Sequence, residues 1–318
     1  MHNMSTQATN APTTHTLTKP FLKWAGGKTQ IIDAILRKVP SHIQNYHEPF
    51  VGGGSVLLAI LSREKQKTIT ISGTVNAYDL NPALIAAYKN VQTNHIELYA
   101  NIRQLIDEYD ALTGTVINRN PQNIEEARTS QESYYYWLRH RYNTLSPDDT
   151  KTPLNSALFM VLNKTCFRGL FREGPNGFNV PFGHYKKTPK VIDQEHLIEV
   201  HNLIKDVHFE CLDFQQSLDL VQENDFVYLD PPYAPECSTS FVGYTKDGFD
   251  IEQHKTLFKL TNQLTSKRVK FLMSNSNVPL VEKSFPDDQY TVNKLLCRRS
   301  IHSKEPQTRT IEVLISNY

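Results

Sequence analysis

The sequence has few cysteines and no long apolar run. Its four cysteines (Cys166, Cys211, Cys237 and Cys297) lie far apart, without the short spacings of zinc or redox sites. We therefore expect reduced, structural cysteines and no bound metal, as is usual inside a cell. No stretch reaches the roughly 18 apolar residues of a membrane span, and the amino terminus lacks the charged-then-apolar pattern of a signal peptide. These absences predict a cytoplasmic protein that does not span a membrane.

The chain also lacks a strong net charge. Its 34 basic and 33 acidic residues give a formal charge of +1 at pH 7. This balance argues against a uniformly basic nucleic-acid binder, but it is compatible with a local basic patch. With 318 residues, 39% of them hydrophobic, the chain can form one large or two ordinary globular domains.

A basic patch is present between residues 164 and 190. Glu173 is the single acid there, against six cations: Lys164, Arg168, Arg172, Lys186, Lys187 and Lys190. Asn176-Gly177 is a hairpin-turn signal, and phenylalanines at 167, 171, 178 and 182 alternate with the cations. Because basic and aromatic residues on a β-ribbon suit a DNA groove, we interpret this segment as a DNA-binding ribbon.

Asp230-Pro231-Pro232-Tyr233 follows a buried strand predicted over residues 225–229. The prolines end the strand because neither can donate to a ladder. At the carboxyl end of such a strand, Asp230 and the Pro231 carbonyl can accept both hydrogens of an exocyclic amine while Tyr233 stacks on the base. The alternative is a proline-rich turn in which Asp230 only caps a helix.

A nucleotide-binding turn is predicted near the amino terminus. A strand over residues 46–51 leads into Gly52-Gly53-Gly54 and a helix over 56–64, and the glycines let the backbone approach a ligand. A second strand over 75–78 ends at Asp79, which can accept both ribose hydroxyls or can be a turn residue before Asn81-Pro82. The segment Gly26-Gly27-Lys28 lacks the earlier glycine of a phosphate loop, so we expect it to hold an anionic group such as a carboxylate.

Alternating helices and strands predict an α/β fold with a mainly parallel sheet and late antiparallel strands. Helices are expected over residues 30–39, 83–109, 132–142 and 251–264, and further strands over 207–211, 269–273, 295–299 and 310–315. The aromatic residues around Tyr135 and Trp137 are expected in the core. We predict a disordered tail over 1–19, a sheet domain from 20–83 and 201–318, and a mostly helical insert, 84–200, that carries the basic hairpin.

Taken in order, these motifs resemble the DNA adenine methyltransferases of the Dam type, the D12 class of the α-group amino-methyltransferases. The resemblance covers about residues 20–318 and rests jointly on the segments 21–28, 48–55, 179–183 and 230–235. It implies a Rossmann-like, S-adenosylmethionine-dependent methyltransferase fold with an inserted target-recognition domain. The implied activity is methylation of adenine N6 in double-stranded DNA after base flipping, with GATC as the target.

The resemblance also implies residue roles. The catalytic positions fall on Asp230, Pro231, Pro232 and Tyr233. The cofactor positions fall on Trp24, Lys28, Phe50, Gly52, Asp79 and Asp213, with Asp79 at the ribose and Asp213 near the adenine. The DNA-binding positions fall on Lys23, Phe167, Arg168, Leu170, Arg172, Pro181, Tyr185 and Lys186, of which Lys23, Leu170, Arg172 and Pro181 read bases. Phe167 stands where the family commonly has tyrosine, and Arg168 replaces the usual polar amide at the orphaned partner base.

Other functions share parts of these patterns. An N4-cytosine or RNA-adenine methyltransferase would use the same pocket on another target, and a catalytically silent DNA-binding module would keep the fold without turnover. An adenine-nucleotide enzyme would need the phosphate loop that is missing here. The resemblance allows a cognate restriction endonuclease as a partner, a monomer as the working form, and a bacterial or phage-infected cell as the setting.

Overall fold

The structure, a computed structural model, describes residues 16–146, 148–235, 249–298 and 309–318. Three expectations lie wholly or partly outside these ranges. They concern most of the tail over 1–19, Cys237, and the end of the strand predicted over 295–299.

A seven-stranded sheet forms the centre of the molecule, in the order β10-β11-β9-β8-β2-β4-β7. In chain order the strands are β1 (His42–Ile43), β2 (Tyr46–Glu48), β3 (Thr70–Ile71), β4 (Val75–Tyr78), β5 (Glu173–Gly174), β6 (Gly177–Phe178), β7 (Val207–Glu210), β8 (Phe226–Leu229), β9 (Lys270–Ser276), β10 (Thr291–Arg298) and β11 (Arg309–Ser316). The strands β7, β4, β2, β8 and β9 are parallel, and β11 runs antiparallel to β9 and to β10. The predicted parallel sheet with late antiparallel strands is therefore confirmed.

The order of the sheet creates a switch point beside β2. From β2 the chain proceeds outward to β4 and β7, and it then returns to β8 on the other side of β2. In an open α/β sheet, ligands bind where the strand order reverses, beyond the carboxyl ends of the strands. Here that position lies between Glu48, at the end of β2, and Asp230, directly after β8.

Helices connect the strands and cover the sheet. They are α1 (Ile32–Leu36), α2 (Ser55–Lys65), α3 (Pro82–Thr93), α4 (His95–Asp110), α5 (Ile124–Ala127), α6 (Gln131–Asn143), α7 (Pro153–Thr165), α8 (Gln194–Ile204), α9 (Phe214–Asp219), α10 (Ile251–Ser266) and α11 (Pro279–Ser284). Their starts follow from local chemistry: the Asn81 side chain accepts from Ala83 N and Leu84 N at the start of α3, with Pro82 at the first helical position. Asp250 and Gln253 form a capping box at the start of α10.

Two predicted helices are shorter than expected. The segment 30–39 contains a 3₁₀ turn over Lys28–Gln30 and then α1, which ends at Leu36. The segment 83–109 is two helices, because Asn94 adopts a non-helical φ of −131° and ψ of 28° between α3 and α4. Asparagine competes with the helix through side-chain hydrogen bonds, and its amide here donates to Asn90 Oδ1 at 3.0 Å.

The sheet is buried on both faces at β8. Phe226 and Tyr228 belong to one buried cluster and Val227 and Leu229 to another, as the two-residue period of a strand requires. The first cluster continues from the sheet into α3, α4, α6, α7 and α8, and it includes Tyr135, which is fully buried as predicted. Among the described residues, the insert over 84–200 therefore has no hydrophobic core separate from that of the sheet. The division into a sheet domain and a target-recognition insert stays a prediction.

The last residues of the predicted tail are held by the fold. Thr18 N donates to Ser62 Oγ at 3.1 Å, and the Thr18 hydroxyl donates to Glu199 Oε1 at 2.6 Å. The prediction of disorder is therefore wrong at Thr18, because its polar groups have partners on α2 and α8.

Other expectations concern metals, disulfides and membranes. Among the described residues, no group of three or more His, Cys, Asp or Glu side chains could hold a metal ion. Cys166, Cys211 and Cys297 have free thiols. Across the same residues, no helix is both long and apolar enough to cross a membrane.

Candidate active site and nucleic-acid interface

Asp230 is held through one of its two carboxylate oxygens. Lys28 Nζ lies 2.7 Å from Asp230 Oδ1, and Ser274 Oγ donates to the same atom at 2.9 Å. The Ser274 hydroxyl is itself within 3.1 Å of Tyr228 OH. Burial raises the pKa of Asp230, while Lys28 and Ser274 lower it. In the described part of the chain no hydrogen bond reaches Oδ2, so this oxygen remains available to a ligand.

The same lysine connects the first glycine segment with the Asp-Pro-Pro-Tyr motif. Lys28 Nζ donates to the Gly26 carbonyl, and it lies 4.8 Å from the centre of the Tyr233 ring. The side chain of Lys28 is only 6% exposed. The Lys28 ammonium is thus enclosed by a carboxylate, a carbonyl and an aromatic face.

The loop that carries the motif is anchored to β9 and β11. Ala234 N donates to Asn275 Oδ1 at 3.0 Å, and Ser276 Oγ donates to the Ala234 carbonyl at 2.6 Å. Tyr233 OH donates to Glu312 Oε2 at 2.8 Å. Sequence reasoning missed these supports, since the predicted strand ended at residue 273. The polar run Ser274-Asn275-Ser276 at the carboxyl end of a buried strand was the signal that could have found them.

Glu48 lies at the end of β2 on the opposite side of the switch point. Its side chain is buried, and Tyr46 OH donates to Glu48 Oε2 at 2.6 Å. Burial raises the pKa of Glu48 to about 8, and the charge of Asp230 adds to the effect. Burial therefore favours the neutral form of Glu48 at the switch point.

Asp79 braces the glycine loop after β2. Asp79 Oδ2 accepts from Gly52 N at 3.0 Å, and Oδ1 accepts from Asn81 N at 2.9 Å. Burial raises the pKa of Asp79 to about 6. Tyr88 OH donates to the Gly52 carbonyl at 2.9 Å, and a Cβ at Gly54, where φ is +71°, would lie 2.4 Å from that hydroxyl. Asp79 thus accepts a hydrogen bond from Asn81, as expected of a turn residue, and a second one from the glycine loop.

Aromatic rings form one wall beside the glycine loop. Phe50 stacks on Phe214 at 5.9 Å and meets Phe249 edge-on at 6.1 Å. Asp213 precedes Phe214 and caps α9 by accepting from Gln216 N at 2.8 Å. The structure therefore places Phe50 and Asp213, two sequence-predicted cofactor residues, on the same side of the sheet edge.

The loop before Lys28 also contacts the insert. The indole of Trp24 stacks on Phe171 with ring centres 5.5 Å apart. The Asn163 side chain accepts from Lys23 N at 2.9 Å and donates to Lys23 O at 2.8 Å. Lys23 Nζ then lies 5.1 Å from the Tyr185 ring. Asn163 was not predicted as a site residue, although it opens the basic segment.

The basic segment folds into a turn and a short hairpin. Arg168 (φ +58°) and Gly169 (φ +67°) are left-handed within a 3₁₀ turn over Phe167–Gly169. A Cβ at Gly169 would lie 2.5 Å from Lys23 Cδ, so only glycine lets the turn approach Lys23. Within the segment, Glu173–Gly174 and Gly177–Phe178 form the paired strands.

The predicted hairpin is confirmed, with Pro175-Asn176 between its paired strands, and the antiparallel bridge between Cys166 and Phe182 joins the same two arms further along. DNA binding by this segment stays a prediction. Three of the four phenylalanines in this segment, which we expected at a DNA-binding surface, instead pack toward the core. Phe178 is buried, and Phe171 and Phe182 pack partly buried against the core. The left-handed turn and this inward packing prevent one continuous extended ribbon.

The turn and the returning arm share one surface. Phe167 N donates to the Pro181 carbonyl at 2.8 Å, and Tyr185 OH donates to the Cys166 carbonyl at 2.8 Å. Phe167 is 45% exposed, and the Arg168 guanidinium lies 5.2 Å from its ring centre. Leu170 is half-buried, whereas Pro181, Arg172 and Lys186 are exposed. The predicted DNA-binding residues from 167 to 186, together with Lys23, thus lie near one another.

Lys164 is a further cation beneath this surface. Burial, together with the charge of Lys23, lowers the pKa of Lys164 to about 8. An approaching polyanion would favour the charged form of Lys164.

Comparison with known proteins agrees with this geometry. The family model of the D12 class N6 adenine-specific DNA methyltransferases matches residues 24–309. The chain is 36% identical over 310 residues to a protein of Methanocaldococcus jannaschii named type II methyltransferase M.MjaIII, covering 94% of this chain and 99% of that one. It is 31% identical over 305 residues to the type II methyltransferase M1.LlaDCHI of Lactococcus lactis subsp. cremoris, covering 94% and 95%. It is 28% identical over 303 residues to a DNA adenine methylase of Escherichia coli, again covering 94% and 95%.

Proposed function

The chain belongs to the D12 class of N6-adenine-specific DNA methyltransferases, and we propose that it methylates adenine N6 at GATC sites of duplex DNA, with S-adenosylmethionine as methyl donor. The observation that carries the proposal is the state of Asp230. Lys28 and Ser274 hold one of its oxygens, and the other has no hydrogen bond among the described residues. This arrangement suits a planar base with an exocyclic amine.

The glycine loop fits S-adenosylmethionine. Asp79 offers a half-buried carboxylate for the ribose hydroxyls, and its hydrogen bond to Gly52 fixes it beside the loop. Phe50 and Phe214 supply an aromatic wall for the adenine ring, with Asp213 next to it. Lys28 has three N–H donors, and Asp230 and Gly26 engage two of them, which leaves one for the carboxylate of the ligand. When bound, S-adenosylmethionine supplies an electrophilic methyl group on a positively charged sulfur.

The residues of the motif then act on the target amine. Asp230 Oδ2 and the Pro231 carbonyl accept the two amino hydrogens, which localises the lone pair on N6. Tyr233 stacks on the base, and its hydroxyl is fixed by Glu312. Extrusion of the adenine costs a few kcal/mol, and these contacts offset that cost. Most of the rate gain comes from alignment and from preorganised electrostatics at the developing positive charge.

Target reading is assigned to the surface built around the 3₁₀ turn. We assign Arg172 and Lys23 to guanines at the two ends of the site, and Leu170 and Pro181 to thymine methyl groups. Phe167 is exposed and acts as the wedge that enters the stack. The Arg168 guanidinium, held over Phe167, replaces the usual amide and would meet the orphaned base. Tyr185 and Lys186 contact the DNA backbone.

A methylation experiment on random-sequence duplex DNA tests the proposal. The expected product is N6-methyladenine confined to GATC, seen by mapping the modified bases and by mass spectrometry of the nucleosides. Recovery of N4-methylcytosine, or of methylation on RNA alone, would establish one of the alternative targets. DNA binding without any methyl transfer would identify a silent module and overturn the proposed activity.

We also propose a monomer as the active unit, which either protects DNA from a cognate restriction endonuclease or works alone in repair or regulation. A single chain carries both the acceptor site at Asp230 and the recognition surface around Phe167, which supports the monomer. Strict reading of one tetranucleotide suits both roles. Sedimentation of the enzyme with a GATC duplex, and digestion of methylated DNA by an endonuclease cutting that sequence, test the two points.

A further inference from the structure

Within the described residues, the guanidinium of Arg172 is held by the side chain and the backbone carbonyl of one neighbour, Asn179. Arg172 Nε donates to Asn179 Oδ1 at 2.6 Å, and Arg172 Nη2 lies 3.4 Å from the Asn179 carbonyl oxygen. Arg172 is otherwise exposed. A long, exposed arginine normally samples many rotamers, so a contact of this geometry restricts both where the guanidinium lies and how it is turned.

The contact occupies one edge of the guanidinium and leaves another open. Nε and Nη2 form the side edge of the planar group, and both face Asn179. The end edge, between Nη1 and Nη2, retains two parallel N–H donors. That pair matches O6 and N7 of guanine, which accept a bidentate arginine contact in the major groove.

Asn179 is itself fixed by the hairpin. Its backbone N–H donates to the Arg172 carbonyl at 3.0 Å, directly beside the paired residues Glu173 and Phe178. A Cβ at Gly174 would lie 2.5 Å from Asn179 Nδ2, so the absence of a side chain there gives the amide its space. The short hairpin thus sets the position of the Asn179 amide, and the amide sets the direction of the arginine.

We propose that Asn179 is a specificity-determining positioning residue, which presents the Nη1–Nη2 edge of Arg172 to a guanine of the outer base pair. The inference rests on the proposed role of Arg172 as a base reader. Lys186 on the same surface has no hydrogen bond within the described residues, which fits a cation that meets phosphate rather than a base edge. Specificity at the outer pair therefore depends on Asn179 as well as on Arg172.

The test compares kcat/KM on a GATC duplex with kcat/KM on duplexes substituted at the outer base pair or at an inner one. We expect Asn179→Ala to lower the discrimination at the outer pair by roughly three- to tenfold, the cost of ordering one long side chain during binding. Discrimination at the inner pair should stay the same. Asn179→Asp keeps an acceptor for Nε and should keep the wild-type ratio, even if its charge weakens binding to every DNA.

Two further variants separate the inference from the proposed function. Asn176→Ala makes the same change in the same hairpin, at an exposed residue without a hydrogen bond in the described part of the chain, and serves as the folding control. If Arg172→Ala leaves discrimination intact, the base-reading role of Arg172 is wrong. Two outcomes would overturn the positioning role of Asn179. In the first, Arg172→Ala abolishes discrimination at the outer pair while Asn179→Ala leaves it unchanged. In the second, Asn179→Ala lowers discrimination as strongly in the Arg172→Ala background as in the wild type.

Discussion

Replacement of Glu48 by glutamine should stabilise the protein, by an amount that depends on pH. Glu48 is 2% exposed, and burial raises its pKa from 4.5 to about 8. The folded state therefore holds a proton that the unfolded state releases above pH 4.5. The contribution of Glu48 to stability is full below that pH and is lost as the pH rises toward 8.

The magnitude follows from linkage. Each pH unit between the two pKa values costs the wild type about 1.4 kcal/mol of folding free energy. At pH 7 the accumulated cost is about 3 kcal/mol, since Glu48 is then still protonated in the folded state. Glutamine has a similar shape, carries no titrating group and still accepts a hydrogen bond from Tyr46 OH. Any packing change that the glutamine introduces shifts the stability difference between the two proteins by the same amount at every pH. The dependence of that difference on pH is therefore unaffected.

Urea unfolding of both proteins at pH 5, 6, 7 and 8 measures this slope. The stability difference between Glu48→Gln and wild type should grow by about 1.4 kcal/mol per pH unit and level off near pH 8. The raised pKa of Asp79 affects both proteins alike and cancels in the difference. Glu97→Gln, a change at an exposed residue of α4, is the matched control and should give no comparable slope. An equal difference at pH 5 and pH 8 would refute the reasoning, because Glu48 would then ionise normally within the fold.

Four other substitutions test the site itself. Asp230→Ala should abolish methyl transfer, while the affinity for S-adenosylmethionine stays within about tenfold, or 1.4 kcal/mol. A transfer assay and calorimetry measure these two properties, and near-normal turnover would remove the catalytic assignment. Asp79→Ala removes the acceptor for Gly52 N and should weaken S-adenosylmethionine binding by about 1.5–3 kcal/mol, so an unchanged calorimetric affinity would return Asp79 to a turn role. Arg172→Ala should cost about 1–3 kcal/mol on GATC and relax discrimination at the outer pair, seen on singly substituted duplexes. Lys186→Ala should instead weaken binding to all DNAs and lower the salt slope by about one, a pattern that any sequence-dependent loss would contradict.

The parts of the fold that local sequence determines were predictable. The strand Val75–Tyr78 was predicted at its observed bounds, and β8 was predicted within one residue, because apolar runs that end at Asp79 or at Asp230-Pro231 have clear limits. Both strands end at the edge of the sheet where ligands bind, because ligands of open α/β sheets lie beyond the carboxyl ends of the strands. The local sequence pattern thus predicts a strand well when the same short segment contains the apolar run and the residues that end it.

The interactions between distant segments were not predictable from one sequence. Asn163 binds the backbone of Lys23 across 140 residues, and Ser274 reaches Asp230 across 44. No spacing or periodicity relates such residues, since the topology of the sheet and the packing of the insert bring them together. The burial of the phenylalanines in the basic segment was not predictable for a related reason. They alternate like those of a ribbon, but Phe178 packs into a core formed by other helices.

One loop serves both halves of the proposed reaction, and this follows from where its side chains go. Lys28 contacts Asp230, Trp24 stacks on Phe171, and Lys23 lies over Tyr185. Because Lys23, Trp24 and Lys28 belong to one short loop, we expect DNA bound at the recognition surface to influence the position of the ammonium that holds Asp230. This coupling would let base reading act on kcat as well as on binding, which is the condition for discrimination in the transition state rather than in the initial complex.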